Sequence, residues 1–97
     1  MFEIKFTERA IEDLRSFEKT ERRRIVTEIE KKLTFEPATQ TRHRKRLRPN
    51  QLAEWEFRAG NFRVFYDIEN ENQLIKIEAV GYKKGSDLYL RGKQFQL

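Results

Sequence analysis

Apolar and charged residues alternate with period two near the start of the chain and again through its middle, and a stretch with helical spacing lies between them. Phe2, Ile4 and Phe6 alternate with Glu3 and Lys5, which predicts a short strand over residues 2–6 with one apolar face. Thr7 has the chemistry of a helix cap, and Glu8 behind it suits the positive end of a helix dipole. In the helix that follows, Ala10, Ile11, Leu14 and Phe17 share a face, with Glu12, Asp13 and Arg15 expected toward solvent. Thr20 is placed to cap a second helix whose buried stripe is Ile25, Val26, Ile29 and Leu33. Each helix is apolar on one side only, as a helical hairpin covering one face of a sheet must be. Glu36-Pro37 stops the second helix, because the residue before a proline is pushed out of helical geometry.

The strongest pattern runs from Ala53 to Ile68, where aromatic and β-branched residues alternate with charged ones on both sides of Gly60-Asn61. A two-residue turn there sets Ala59 opposite Phe62, Arg58 opposite Arg63, Phe57 opposite Val64, Glu56 opposite Phe65, Trp55 opposite Tyr66 and Glu54 opposite Asp67. One face then carries Trp55, Phe57, Ala59, Phe62, Val64 and Tyr66 and belongs to the core. The other carries Glu54, Glu56, Arg58, Arg63 and Asp67 around a lone Phe65.

After a polar turn at Asn70-Glu71-Asn72, Leu74 to Gly81 reads as another strand. Ile75, Ile77 and Ala79 are expected on its core face, Lys76 and Glu78 on the charged face, with Gly81 as its end. Residues 82–91 read as a short basic tail with a last helical turn, and residues 38–51 as an aperiodic connection. The order is β-α-α-β-β-β, an α+β fold. It forms a single domain over residues 1–97, with a mainly antiparallel sheet of about four strands, the helices on one face and the other face open.

Composition adds the choice of partner. The net charge of +5 and a pI near 9.7 favour a polyanion. Cysteine is absent and there is one histidine, so disulfides, thiolate sites and two-histidine metal sites are excluded; neither a metal nor an organic cofactor is expected. No segment approaches the ~18 apolar residues of a membrane span, and a cytoplasmic protein is expected. Arg42-His43-Arg44-Lys45-Arg46-Leu47-Arg48 packs five basic side chains and a histidine into seven positions. Such a run is either a solvated loop or a footprint for phosphates, and it leads straight into the charged face of the hairpin.

Three blocks, Ile4-Lys5-Phe6-Thr7 through Asp13-Leu14, Trp55 through Tyr66, and Ile77-Glu78-Ala79-Val80-Gly81-Tyr82-Lys83-Lys84, resemble in order and spacing the RelE/ParE superfamily of toxins from type II toxin–antitoxin modules. The resemblance implies the fold just read, a cognate antitoxin that also binds operator DNA, and one of two activities. RelE-like members cut messenger RNA in the ribosomal A site without metal, by attack of the ribose 2′-hydroxyl on the adjacent phosphate. ParE-like members poison DNA gyrase. The nuclease branch implies Arg63 as catalytic arginine, Lys83 as the second basic residue and Tyr89 as a tyrosine stacking near the scissile base. Two lysines of its best-known member fall on Glu54 and Glu56, a departure from the pattern. Glu56 or Glu54 then becomes a candidate base, unless both merely pair with Arg58, Arg63 or Lys76. Arg42, His43, Arg44, Lys45, Arg46, Arg48, Arg58, Lys84 and Arg91 are the residues expected to contact RNA, with ribosome and messenger as partners. A gyrase inhibitor, or an inactive member that binds only its antitoxin, is the alternative.

Overall fold

The computed structural model describes all 97 residues. Its elements are β1 (Glu3–Phe6), α1 (Glu8–Arg15), α2 (Lys19–Leu33), β2 (Arg44–Arg46), β3 (Trp55–Ala59), β4 (Phe62–Glu69), β5 (Leu74–Lys84), β6 (Asp87–Leu90) and β7 (Lys93–Phe95). The order β2-β3-β4-β5-β6-β7 is antiparallel throughout, and β1 pairs with β5 in parallel, setting Ile4 beside Ile75 and Phe6 beside Ile77. The α+β class and the helical hairpin on one sheet face are as the hydrophobic pattern requires. The register of β3 against β4 agrees pair by pair from Trp55–Tyr66 to Ala59–Phe62. Gly60 makes that register possible, since its φ of +61° belongs to the left-handed region that residues with a β-carbon avoid.

The main core lies between helices and sheet. Leu14, Ile25, Ile29 and Leu33 meet Trp55, Phe57, Val64, Tyr66, Ile75, Ile77 and Val80. Tyr66 is fully buried and its hydroxyl donates to the Pro37 carbonyl at 2.7 Å, which satisfies the one polar atom it brings into the core. Thr7 caps α1 as expected, accepting from the Ala10 amide at 3.1 Å. The cap of α2 is Glu18 and not Thr20: its carboxylate and that of Glu21 form a reciprocal capping box.

Four expectations need correction. First, Asp13 is fully buried, whereas it was expected in solvent. Its Oδ2 accepts the Val80 amide at 2.9 Å, and its Oδ1 lies 3.1 Å from Arg91 Nε. Second, strict alternation along β5 fails. Phe65 pairs with Ala79 but Tyr66 pairs with Ile77, so Glu78 is an extra residue, a β-bulge, and Ala79 turns to the face away from the helices. Third, Gly81 does not end the strand. A β-carbon there would meet the Tyr89 carbonyl oxygen and Leu90 Cδ2, each at 2.5 Å, so its glycine character serves the close approach of β6. Fourth, residues 82–91 contain no helix and residues 38–51 contain β2. The sheet therefore has seven strands, because short edge segments extend it on both sides.

The face away from the helices is consequently not open. Phe65 is fully buried there among Leu52, Ala79, Leu88 and Leu90, with Leu47, Ala53 and Phe95 around them. Burying one such ring stabilises the fold by about 1.5–3 kcal/mol, which explains why β6 and β7 fold over this face. Replacing Asp13 with Ala should cost about 1–3 kcal/mol in urea unfolding, because the buried Val80 amide loses its acceptor. An unchanged midpoint would show that the bulge does not depend on this contact.

Candidate functional site

On the face opposite the helices lies a groove of about 340 Å³, lined by Lys45, Glu56, Arg58 and Lys83 with Leu88 and Phe95 among its walls. Three strands assemble the charges. Lys45 on β2 sits across from Glu56 on β3, Arg58 lies two residues further along β3, and Lys83 near the end of β5 is paired with Leu88 on β6. The bulge at Glu78 decides the last placement, since it turns Ala79, and with it Gly81 and Lys83, to this side.

Glu56 is the unusual member. Its side chain is only 6% exposed, and Oε1 lies 3.3 Å from Arg58 Nε, whose side chain is 43% exposed. A carboxylate withdrawn from water this far needs compensation, and the cations around it supply that.

Arg63 faces the same side, opposite Arg58 on β3 and Gly81 on β5. Its Nη1 donates to the carbonyls of Gly60 at 2.8 Å and Phe62 at 2.9 Å, so the guanidinium folds back on the turn. Its buried Nε has no partner. Burial pushes its pKa down; the Glu56 carboxylate opposes this and the Arg58 charge adds to it.

Other expected site residues lie elsewhere. Tyr89 is on the helix side of the sheet, its ring stacked on Tyr82 at 5.4 Å and 15°, with Tyr82 edge-on to Phe17 at 6.2 Å. It is separated by the sheet from Arg63 and Lys83, because it pairs with Tyr82, whose side chain the bulge sends inward. Glu54 is exposed and outside the groove. It lies 3.6 Å from Arg46, its amide donates to Asp67 Oδ1 at 2.8 Å, and a pair this solvated is worth about 0–1 kcal/mol.

The basic run divides its work. Arg44 Nη1 donates to the carbonyls of Lys32 at 3.0 Å and Phe35 at 3.3 Å, closing the end of α2, while Lys45 enters the groove and Arg46 meets Glu54. Arg42, His43, Arg48 and Lys84 are exposed. Arg91 is held by Glu12 at 2.6 Å and by Asp13, so it ties the β6–β7 turn to α1 and does not face the groove.

Sequence reasoning missed the walls contributed by Ser86, Asp87, Gln94 and Phe95. It also missed a carboxyl pair on the same face of the sheet. Glu78, the bulged residue, has its pKa raised to about 7, chiefly by burial, then by a hydrogen bond and charge repulsion from Asp67; Lys76, 4.0 Å away, opposes this.

The sequence profile of the ParE toxin of type II toxin–antitoxin systems, parDE, matches residues 4–86. The chain belongs to this toxin family, within the RelE/ParE superfamily. Solved structures share the toxin's fold. The RelBE2 toxin–antitoxin complex from Mycobacterium tuberculosis aligns with a TM-score of 0.74 and 26% identity, over 89% of this chain and 93% of that one. The RelE–RelB complex from the archaeon Pyrococcus horikoshii OT3 gives 0.65 and 23%, over 87% and 96%. The RelBE complex of E. coli gives 0.58 and 18%, over 87% and 99%. Among curated protein sequences none matches the toxin. No helix of the toxin is long and apolar enough to cross a membrane.

The carboxyl pair yields a pH test. The folded-state pKa of Glu78 lies above the ordinary 4.5, so its contribution to stability is full below about pH 4.5 and is lost as pH rises through about 7. Glu78→Gln cannot ionise. Its urea midpoint should therefore rise relative to the unsubstituted toxin between about pH 5 and pH 8. A constant difference across that range would show that folding does not raise the pKa of Glu78.

Proposed function

We propose that this toxin is a ribosome-dependent endoribonuclease that cuts messenger RNA in the A site and is neutralised by a cognate antitoxin. The observation that carries the reading is the recessed Glu56 carboxylate, 3.3 Å from Arg58, in a groove that Lys45 and Lys83 also line. In-line attack of a ribose 2′-hydroxyl on the adjacent phosphorus requires a proton acceptor, positive charge at the phosphate oxygens and a proton for the departing 5′-oxygen. Glu56 takes the 2′-hydroxyl proton. Arg58 and Lys45 bind the phosphate, and Arg63 adds its charge from beside the turn. The new bond runs from the 2′-oxygen to phosphorus, the bond to the 5′-oxygen breaks, and Lys83 supplies the proton to that oxygen. The products are a 2′,3′-cyclic phosphate and a 5′-hydroxyl end. No metal takes part in this scheme. Tyr89, across the sheet, has no part in it either.

The solved complexes of similar fold each hold a toxin with its antitoxin, which supports the same partnership here. An antitoxin that covers the groove neutralises the +5 chain by contributing carboxylates, and in such modules it also binds operator DNA.

A second reading, a gyrase-directed toxin without nuclease activity, is favoured by the ParE profile match and by the distance of Tyr89 from the groove. The two separate in one experiment, in which purified toxin is added to translating ribosomes and the ends of the messenger are mapped. Cleavage in the A site is expected, and Glu56→Gln and Lys83→Ala should each lower its rate by about 10²–10⁴-fold. Intact messenger together with gyrase-dependent DNA breaks would select the second reading. No growth arrest on expression would identify a member that only binds its antitoxin.

A further inference from the structure

At the β3–β4 turn the sheet carries a second concavity, of about 460 Å³, bounded by Glu21, Arg24, Gly60, Asn61, Phe62, Tyr82, Lys83 and Lys84. Three of its cations, Arg24, Lys83 and Lys84, come from different elements or faces, and none lies within ion-pair distance of a carboxylate. Its one acid, Glu21, is turned to the helix end, where Oε1 accepts the Glu18 amide at 3.2 Å, and the three cations outnumber it. The turn is shaped for close approach by an arginine. A β-carbon at Gly60 would stand 3.1 Å from Arg24 Nη2, so that guanidinium lies close against the turn. From the other side of the sheet Arg63 Nη1 donates to the Gly60 carbonyl. Two guanidinium groups thus converge on one turn, with Lys83 and Lys84 beside it. The arrangement raises the energy of the free protein by like-charge repulsion, and an anion would relieve it.

Lys83 borders both this concavity and the groove that holds Glu56 and Arg58. The two basic pockets are therefore neighbours on a path around the end of the sheet. The inner wall of the second is aromatic, Phe62 and Tyr82, and Tyr82 is held in place by Phe17 and Tyr89. Cations along a path with an aromatic wall suit single-stranded nucleic acid, whose phosphates repeat along the strand and whose bases have apolar faces.

We infer that the concavity at Gly60-Asn61 is a second phosphate site, in which Arg24 and Lys84 hold a phosphate of the same RNA strand whose scissile phosphate occupies the groove. The inference rests on the reading of single-stranded RNA as substrate. Lys83 stands between the two phosphates and fixes their separation along the strand. Arg24 and Lys84 are positioning residues, remote from the reacting atoms.

The test is titration of a labelled single-stranded RNA of about eight nucleotides with the purified toxin at several salt concentrations. Each phosphate contact contributes about 0.7 to the slope of log affinity against log salt for a single strand. Arg24→Ala and Lys84→Ala should each reduce the slope by about that amount, an affinity loss of about fivefold for each decade of salt below 1 M. Arg24→Lys, which keeps the charge, should restore most of it. Arg23→Ala removes the same charge from a different part of α2, where Arg23 shares a separate concavity with Lys19 and Val26, and should leave the slope within error. All of these side chains are exposed, and a circular dichroism melt verifies that each variant is folded. RNA binding that Arg24→Ala leaves unchanged, or that Arg23→Ala weakens equally, overturns the second site and leaves the groove's function standing. Absence of RNA binding by the unsubstituted toxin overturns the second site alone, because cleavage in the ribosomal A site does not require affinity for free RNA.

Discussion

One residue out of step governs the molecule. Glu78 is inserted into β5 against β4, and the strand on its far side is rotated so that Ala79, Gly81 and Lys83 face away from the helices while Val80 and Tyr82 face them. Two residues beyond the bulge, in the gap between the ends of β1 and β6, the buried carboxylate of Asp13 accepts the Val80 amide. The same carboxylate receives Arg91 from the β6–β7 turn. Helix α1, the bulge and the terminal hairpin are thereby fixed to one another at a single buried acid. Burial pushes the pKa of that acid up, while the Val80 amide and the Arg91 charge pull it back.

The placement of charge follows from this constraint. With unbroken alternation from Ile75, Lys83 would point toward the helices and Tyr82 toward the groove. The bulge exchanges them. Lys83 joins Lys45, Glu56 and Arg58 on one side of the sheet, and Tyr82 forms a platform for Tyr89 on the other. A superfamily tyrosine expected beside the arginine is thus removed by the geometry of one strand.

The outer face combines apolar cover with recessed charge. Leu88, Leu90 and Phe95 close over Phe65, and the ground they leave uncovered is where Glu56 and the cations lie. Water is partly excluded there, so the fields of Arg58 and Lys83 would act on an anion placed in the groove more strongly than on an open sheet. The β6–β7 hairpin therefore does two jobs, as a lid on the second core and as a wall of the groove.

Local rules decided a good deal. The hairpin register was legible because aromatic residues alternate with charges on both sides of a Gly-Asn pair, and the helices because their apolar stripes have helical spacing. So were the fold class, the superfamily, and the sharing of one face by Glu56, Arg58 and Arg63. What the sequence could not show depends on contacts between residues far apart in the chain. Asp13 looks like any solvated helix acid until the Val80 amide, 67 positions away, is brought to it. The edge strand β2 has no alternation of its own, since its hydrogen bonds come from β3. The parity of β5 beyond Glu78 was invisible too, because a bulge leaves no period in the side chains. Only the packed tertiary structure decides which way Lys83 and Tyr89 point.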